Sequence, residues 1–201
     1  DSTSNNLDGV NRPDKPTVNT TGIIGDAQEF GVNQILVIRP PEAKPGRRVT
    51  CMPSGNSDRT MSAWVNPTSF EGRNWAQASI GGWGEPERGQ KPNMGLSYFT
   101  MTGRGQPRFH LYGFDPRCAS LLPRNEWRHV ALAVSGDMVR FYVDGILERT
   151  INNKGEEVSK LGTLRTPVST PVDLGDHGNG RGPFNGALDE VRFESVARSA
   201  N

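Results

Sequence analysis

The chain lacks any run of about 18 apolar residues, the length a membrane-spanning helix requires, so insertion into a bilayer is not expected. It also lacks a long stretch with the 3.6-residue apolar period of an amphipathic helix. Only two cysteines occur, Cys51 and Cys118, too few for a disulfide scaffold. Two readings of them stay open. A single bridge would close the long intervening loop and contribute about 4 kcal/mol in the chain-entropy picture. Alternatively they are unlinked thiols, one or both buried. Charge of one sign is not in excess: 23 Lys and Arg stand against 22 Asp and Glu, a net charge of +1. Nucleic-acid affinity needs clustered positive charge, so no nucleic-acid partner is expected. No basic segment followed by an apolar one opens the sequence at Asp1, so a secretory leader is expected to have been removed or to lie outside it.

Sequence signatures of catalysis are missing as well. There is no G-x-S-x-G nucleophile elbow, no H-E-x-x-H zinc pair and no C-x-x-C. His110, His129 and His177 are the only histidines, and His129 sits among apolar strand residues as a structural side chain would. Gly178-Asn179-Gly180-Arg181-Gly182 is rich in glycine, but no Lys-Ser or Lys-Thr follows, so it reads as a turn rather than a phosphate loop.

Glycine and proline are abundant instead. With 24 and 15 copies they far exceed their usual joint share of about 12%. Turn residues that dense disfavour a helix bundle and favour many short strands. The first 21 residues are polar and read as a loop or wrapped arm. Short β-branched and aromatic runs then recur: Gln34–Ile38, Arg59–Asn66, Trp75–Ile80, Met94–Met101, Arg108–Tyr112, Trp127–Val134, Met138–Val143, Ile146–Ile151, Pro171–Gly175 and Ala187–Glu194. In Met138–Val143, Val139, Phe141 and Val143 alternate with Met138, Arg140 and Tyr142, as a half-buried strand demands. Gly81–Asn93 (GGWGEPERGQKPN) reads as a loop, and Ser195–Ala200 as one helical turn. Ten or eleven strands with no long helix predict an all-β fold, a two-sheet antiparallel jelly-roll β-sandwich. No composition break divides it, so residues 1–201 are expected to form a single domain.

The second half carries W-R-H-V-A-L-A-V (127–134), F-Y-V-D-G (141–145), L-G (174–175) and F-N-G-A-L-D-E-V-R-F (184–193). The first half adds D-S-T-S-N-N-L-D-G at the start, G-I-I-G-D-A-Q-E-F (22–30) and M-S-A-W-V (61–65), and V-A-R-S-A (196–200) lies near the end. In this order they resemble the bacterial laminin-G-like domains of the concanavalin A-like group. The resemblance implies a concanavalin A-like two-sheet jelly roll. It also implies an exported setting: periplasmic, cell-surface or secreted. In the family a strand usually precedes the D-S-T-S-N turn, and the chain usually continues past R-S-A-N. The expectation is therefore a domain excised from a larger protein, with neighbouring domains as partners.

Sugar-cleaving relatives of this fold place two carboxylates on one strand, about 5 Å apart for retaining cleavage. The nearest run here is Leu188-Asp189-Glu190-Val191-Arg192-Phe193-Glu194. Strand alternation puts Glu190 and Glu194 on one face and Asp189 on the other. Arg192 between the glutamates would keep both ionised, so no catalytic residue is assigned. The resemblance further implies one structural calcium ion, with Asp189 as side-chain ligand and backbone carbonyls after Phe30 completing the shell; Asp1 and Asp8 are weaker candidates. The competing reading of Asp189 is an acceptor for backbone N–H groups or a partner of an arginine.

Trp64 and Trp127 match structural positions of the family and are expected in the core, Trp75 less firmly. Trp83 stands in the Gly81–Asn93 loop, where burial is not required, and exposed aromatics stack on sugars or anchor interfaces. Arg88, Arg104, His110 and Tyr112 come from neighbouring strands and loops and are grouped with Trp83 as a ligand site. Two functions follow: a non-catalytic binding module recognising a glycan or a protein surface, and an assembly domain within a larger periplasmic or surface complex. A hydrolase or lyase on the same sandwich is the third and least supported reading.

Overall fold

The structure, a computed structural model, describes residues 9–11, 15–32, 34–38, 52–70, 78–84, 96–111, 115–158, 160–166, 172–176 and 182–199. Among them there are fifteen strands and no helix: β1 (Gly9–Asn11), β2 (Val18–Thr21), β3 (Asp26–Phe30), β4 (Leu36–Ile38), β5 (Arg59–Ser69), β6 (Ala78–Gly84), β7 (Leu96–Met101), β8 (Pro107–His110), β9 (Arg117–Cys118), β10 (Arg128–Ser135), β11 (Met138–Val143), β12 (Ile146–Glu148), β13 (Thr150–Ile151), β14 (Val172–Leu174) and β15 (Asn185–Glu194). They form an eight-stranded sheet in the order β1-β4-β14-β6-β7-β8-β9-β13 and a seven-stranded sheet in the order β12-β11-β10-β5-β15-β3-β2. Every strand pairing is antiparallel. The two-sheet sandwich is the one predicted.

Alternation builds the core between the sheets. Val130, Leu132 and Val134 of β10 face inward beside Met61, Ala63 and Val65 of β5 and Val139 and Phe141 of β11. Ile80, Trp83, Phe99, Met101 and Phe109 come from the opposite sheet, and Leu111 follows directly after β8. Phe99 and Phe141 meet across the gap with ring centroids 6.5 Å apart. Because Met61, Ala63 and Val65 take the inward positions of β5, Trp64 is turned outward. It is only partly buried, as is Trp127, so neither is the core residue expected; Trp64 packs its ring against His129 at 5.3 Å. Trp75 lies outside the described residues.

Several expectations are corrected. Residues read as an arm contain β1 and β2, whose side chains are largely exposed and so show no apolar period. Backbone pairing with β4 and β3 makes them strands. The two-residue β9 lies in none of the runs read as strands and exists through its register with β8 and β13. The segment after Glu194 is not helical through residue 199. The Thr60 hydroxyl donates to the Val196 carbonyl (2.7 Å) and accepts from the Arg198 N–H (2.9 Å), holding the tail against β5.

The largest correction concerns Trp83. Strand β6 continues to Gly84, and Trp83 is 1% exposed. Its glycine-rich surroundings suggest a loop, but Gly81 serves close packing. A Cβ on Gly81 would lie 2.5 Å from the Leu174 side chain and 3.0 Å from the Asp173 carbonyl oxygen. The bare backbone lets β14 approach β6.

Cys118 is a free thiol buried in the core cluster, so the bridge to Cys51 is not formed; Cys51 lies outside the described residues. Burial pushes the Cys118 pKa up to about 11, keeping the thiol neutral and unreactive.

Candidate functional site

The outer face of the eight-stranded sheet is polar. Phe99, Met101 and Phe109 point into the core, so Thr100 and Arg108, paired across β7 and β8, point the other way, with Arg117 of β9 beside Arg108. Arg108 is 5% exposed and forms an ion pair with Asp115 at 3.2 Å, while its Nε donates to the Thr100 hydroxyl at 3.2 Å. Asp115 also receives the Leu111 N–H (2.8 Å) and lies 3.1 Å from His110 Nδ1. Burial alone would raise the Asp115 pKa; the His110 hydrogen bond, the Arg108 charge and the Leu111 N–H outweigh it and hold it below the ordinary 3.8. An ionised carboxylate only accepts, so His110 Nδ1 carries the hydrogen. Burial, opposed by Asp115 and assisted by Arg117, lowers Arg108 to about 10. The Ser79 hydroxyl and Arg108 Nη2 are buried without hydrogen-bond partners.

The sign of the pH dependence follows from Asp115. Its folded pKa is below the unfolded value, so its contribution to stability is present above about pH 3.8 and is lost as the pH falls through the lower folded value. Acid titration of unfolding is expected to show this loss in the wild type and not in Asp115→Asn, which starts less stable at neutral pH. An acid limb unchanged in that variant would show that the cluster does not set acid stability.

Next to this cluster, at the β13 edge, a groove of about 580 Å³ opens among Thr102, Gly103, Arg104, Gln106, Arg117, Ile151, Asn153, Lys154 and Gly155. Two turns form its sides, and they are built alike. In Thr102-Gly103-Arg104-Gly105-Gln106 the Thr102 hydroxyl accepts the N–H of Arg104 (3.3 Å) and of Gln106 (3.1 Å). In Asn152-Asn153-Lys154-Gly155-Glu156 the Asn152 side-chain oxygen accepts the N–H of Lys154 (2.8 Å) and of Glu156 (3.1 Å). The main chain matches too. Thr102 N bonds Gln106 O and Gly105 N bonds Thr102 O; Asn152 N bonds Glu156 O and Gly155 N bonds Asn152 O. Gly105 and Gly155 have φ of 83° and 82°, a conformation that glycine adopts without strain. Each turn thus presents one cation on a stiff loop.

Of the residues grouped from the sequence, the structure places only Arg104 in this groove. His110 lies at the far end of β8 in the ionic cluster, and Trp83 is in the core. Arg88, Tyr112, His177, Asp1 and Asp8 lie outside the described residues. Arg117, Lys154 and Asn153 were missed. The signal that would have found them is the repeated Thr/Asn-x-Arg/Lys-Gly-Gln/Glu pattern at 102–106 and 152–156.

Asp189 is buried and its carboxylate is already occupied. Oδ2 accepts the N–H groups of Ile23 (2.7 Å) and Ile24 (2.9 Å), and Oδ1 accepts that of Glu190 (2.8 Å). Two N–H donors use both lone pairs of Oδ2. Calcium requires six to eight oxygens, and among the described residues no three His, Cys, Asp or Glu side chains converge on a metal position. This donor set does not fit calcium; it fits the acceptor reading. Taking up the Glu190 N–H also bulges β15 between Asp189 and Arg192 and puts Glu190 at φ 47°, so simple alternation fails there. Glu190 pairs with Arg192 and Glu194 with Arg198. Asp26, Asp189 and Glu190 border a cavity of about 160 Å³. That is below the roughly 300 Å³ of ordinary ligand pockets.

The family model described as the concanavalin A-like lectin/glucanases superfamily, of laminin G type, matches residues 47–201. The chain belongs to this superfamily. Solved structures share the laminin-G-like fold. Domain 4 of AbnA, an extracellular arabinanase of Geobacillus stearothermophilus determined in complex with arabinotriose, is 18% identical with a TM-score of 0.62, over 92% of this chain and 77% of that one. A carbohydrate-binding protein of Bacteroides ovatus, so described provisionally, is 23% identical with a TM-score of 0.56, over 87% of this chain and 44% of its own. Trypanosoma rangeli sialidase is 15% identical with a TM-score of 0.55, over 88% of this chain and 26% of its own. At these identities the likeness is one of fold. No curated protein matches this laminin-G-like sequence.

Proposed function

We propose that the chain is a non-catalytic glycan-binding module of an exported or cell-surface protein, and that the sugar lies in the groove at the β13 edge. The observation that carries this reading is the groove itself. It is open, within the size range of ligand sites, and among the described residues it is lined by Thr102, Gln106, Asn153 and three cations, with Ile151 as a large apolar contact. Its two turns are rigid before any ligand arrives, which lowers the ordering cost of binding. Membership in a superfamily described by lectins and glucanases supports a sugar as the ligand. The absence of catalysis is supported by Glu190 and Glu194, each taken up by an arginine.

Gly103→Trp tests the site. A Cβ there meets only the Phe70 carbonyl oxygen at 3.7 Å, so the fold accommodates a side chain that fills the groove. Calorimetric titration with neutral and acidic polysaccharides is expected to show saturable binding by the wild type, lost in Gly103→Trp at unchanged melting temperature. Binding that survives the substitution would place the sugar elsewhere. The assembly reading draws on Ile146 and Leu147, exposed on the edge strand β12. No glycan affinity combined with self-association would favour that reading over the one proposed.

A further inference from the structure

We infer that the groove selects an anionic polysaccharide, gripping a uronate carboxylate or a sulfate ester between Arg104, Arg117 and Lys154; this rests on the glycan-binding reading above. The chain as a whole is nearly neutral, so three cations at one groove are a local concentration. Among the described residues no carboxylate lines it. Elsewhere on this face Arg108 is paired with Asp115, and the carboxylate of Glu156, the last residue of the second turn, accepts from the Asn152 amide at 2.8 Å rather than from a cation of the groove. None of Arg104, Arg117 and Lys154 takes part in an ion pair among the described residues.

Geometry makes the set a receptor rather than a scatter of surface charge. Arg104 and Lys154 occupy the same position of two turns with the same hydrogen bonds, on opposite sides of one groove. Arg117 sits between them. Its Nη2 donates to the Asn152 carbonyl (3.1 Å), which fixes the guanidinium plane, and its Nε is buried with no partner. A planar fork fixed in this way suits carboxylate or sulfate oxygens better than a neutral hydroxyl. Asn153, Thr102 and Ile151 remain to contact the sugar ring.

The test is titration of the whole chain with polygalacturonate, chondroitin sulfate, arabinan and polyglutamate. Arg104 and Lys154 are exposed, and the Arg104→Gln/Lys154→Gln variant keeps both turns because their hydrogen bonds use backbone N–H groups. The expected result is binding of one or both acidic polysaccharides, weakened about tenfold or more in the double variant and by about 0.5 M salt. Preference for polygalacturonate identifies the carboxylate, preference for chondroitin sulfate the sulfate ester. Arabinan bound as tightly as the acidic polymers, with no effect of the double variant, would overturn the inference and leave the glycan reading intact. Equal affinity for polyglutamate would reduce the groove to an unspecific charged patch and also overturn it. No binding to any polysaccharide would remove both readings.

Discussion

Trp83→Ala is expected to destabilise the fold by about 3–5 kcal/mol, the usual cost of deleting a large core aromatic. Stabilities of single domains are roughly 5–15 kcal/mol in total, so the variant should stand near the edge of folding. Three contacts set the size of the effect. The indole edge meets Phe193 at 5.5 Å and 85°, an edge-to-face arrangement. The Arg59 guanidinium lies 5.8 Å from its ring centre. The indole N–H donates to the Pro53 carbonyl at 3.0 Å. Losing the ring also exposes Arg59, whose pKa burial lowers to about 10 against the opposing charge of Asp58. Urea unfolding measures the loss. Trp83→Phe should keep part of the packing and forfeit the hydrogen bond, giving an intermediate midpoint. Glycan affinity per folded molecule should not change. A Trp83→Ala protein of full stability that no longer bound sugar would return Trp83 to the ligand site.

Asp189→Asn is expected to cost about 2–4 kcal/mol, because charge-assisted bonds to backbone N–H groups are lost and a donor is left facing a donor. Three N–H groups converge on this 6%-exposed carboxylate. Whichever way the amide is turned, its NH2 confronts at least one of them. Asp189→Ala should be comparable, since it leaves all three donors unmet. The turn bearing Ile23 and Ile24 joins β2 to β3 and is closed by the Gly22 N–H to Gly25 carbonyl bond at 2.9 Å, and Asp189 ties it to β15; Gly22 is bare because a Cβ would come within 2.5 Å of Asp189 Oδ2. Melting temperature gives the readout, and EDTA supplies the decisive control. The wild type is expected to melt at the same temperature with and without it. A drop with EDTA that vanishes in Asp189→Asn would show that this carboxylate holds a cation after all.

The strand framework could be read from the residues where one face is buried and the other wet. Val139, Phe141 and Val143 alternate in the chain and lie on one face of β11, packed beside Val130, Leu132 and Val134 of β10. The laminin-G-like assignment likewise followed from motifs spread along the sequence. Reading failed where composition and context disagreed. The Gly81-Gly82-Trp83-Gly84 run has the content of a loop, yet Gly81 makes room for β14 and the tryptophan fills the core. Val18–Thr21 has no apolar face, and its pairing with β3 is visible only in space.

The strands with one buried face, and a cation beside a glycine at 104 and at 154, are local properties, and the amino-acid sequence by itself determined them. Which cations share a groove is not local. Arg104, Arg117 and Lys154 come together because β8, β9 and β13 lie side by side at one sheet edge, and Arg108 is withdrawn from the set because Asp115 reaches it. Electrostatic neighbours are decided by distance in three dimensions. The tertiary structure therefore chose the site, while the sequence supplied the turns from which it is made.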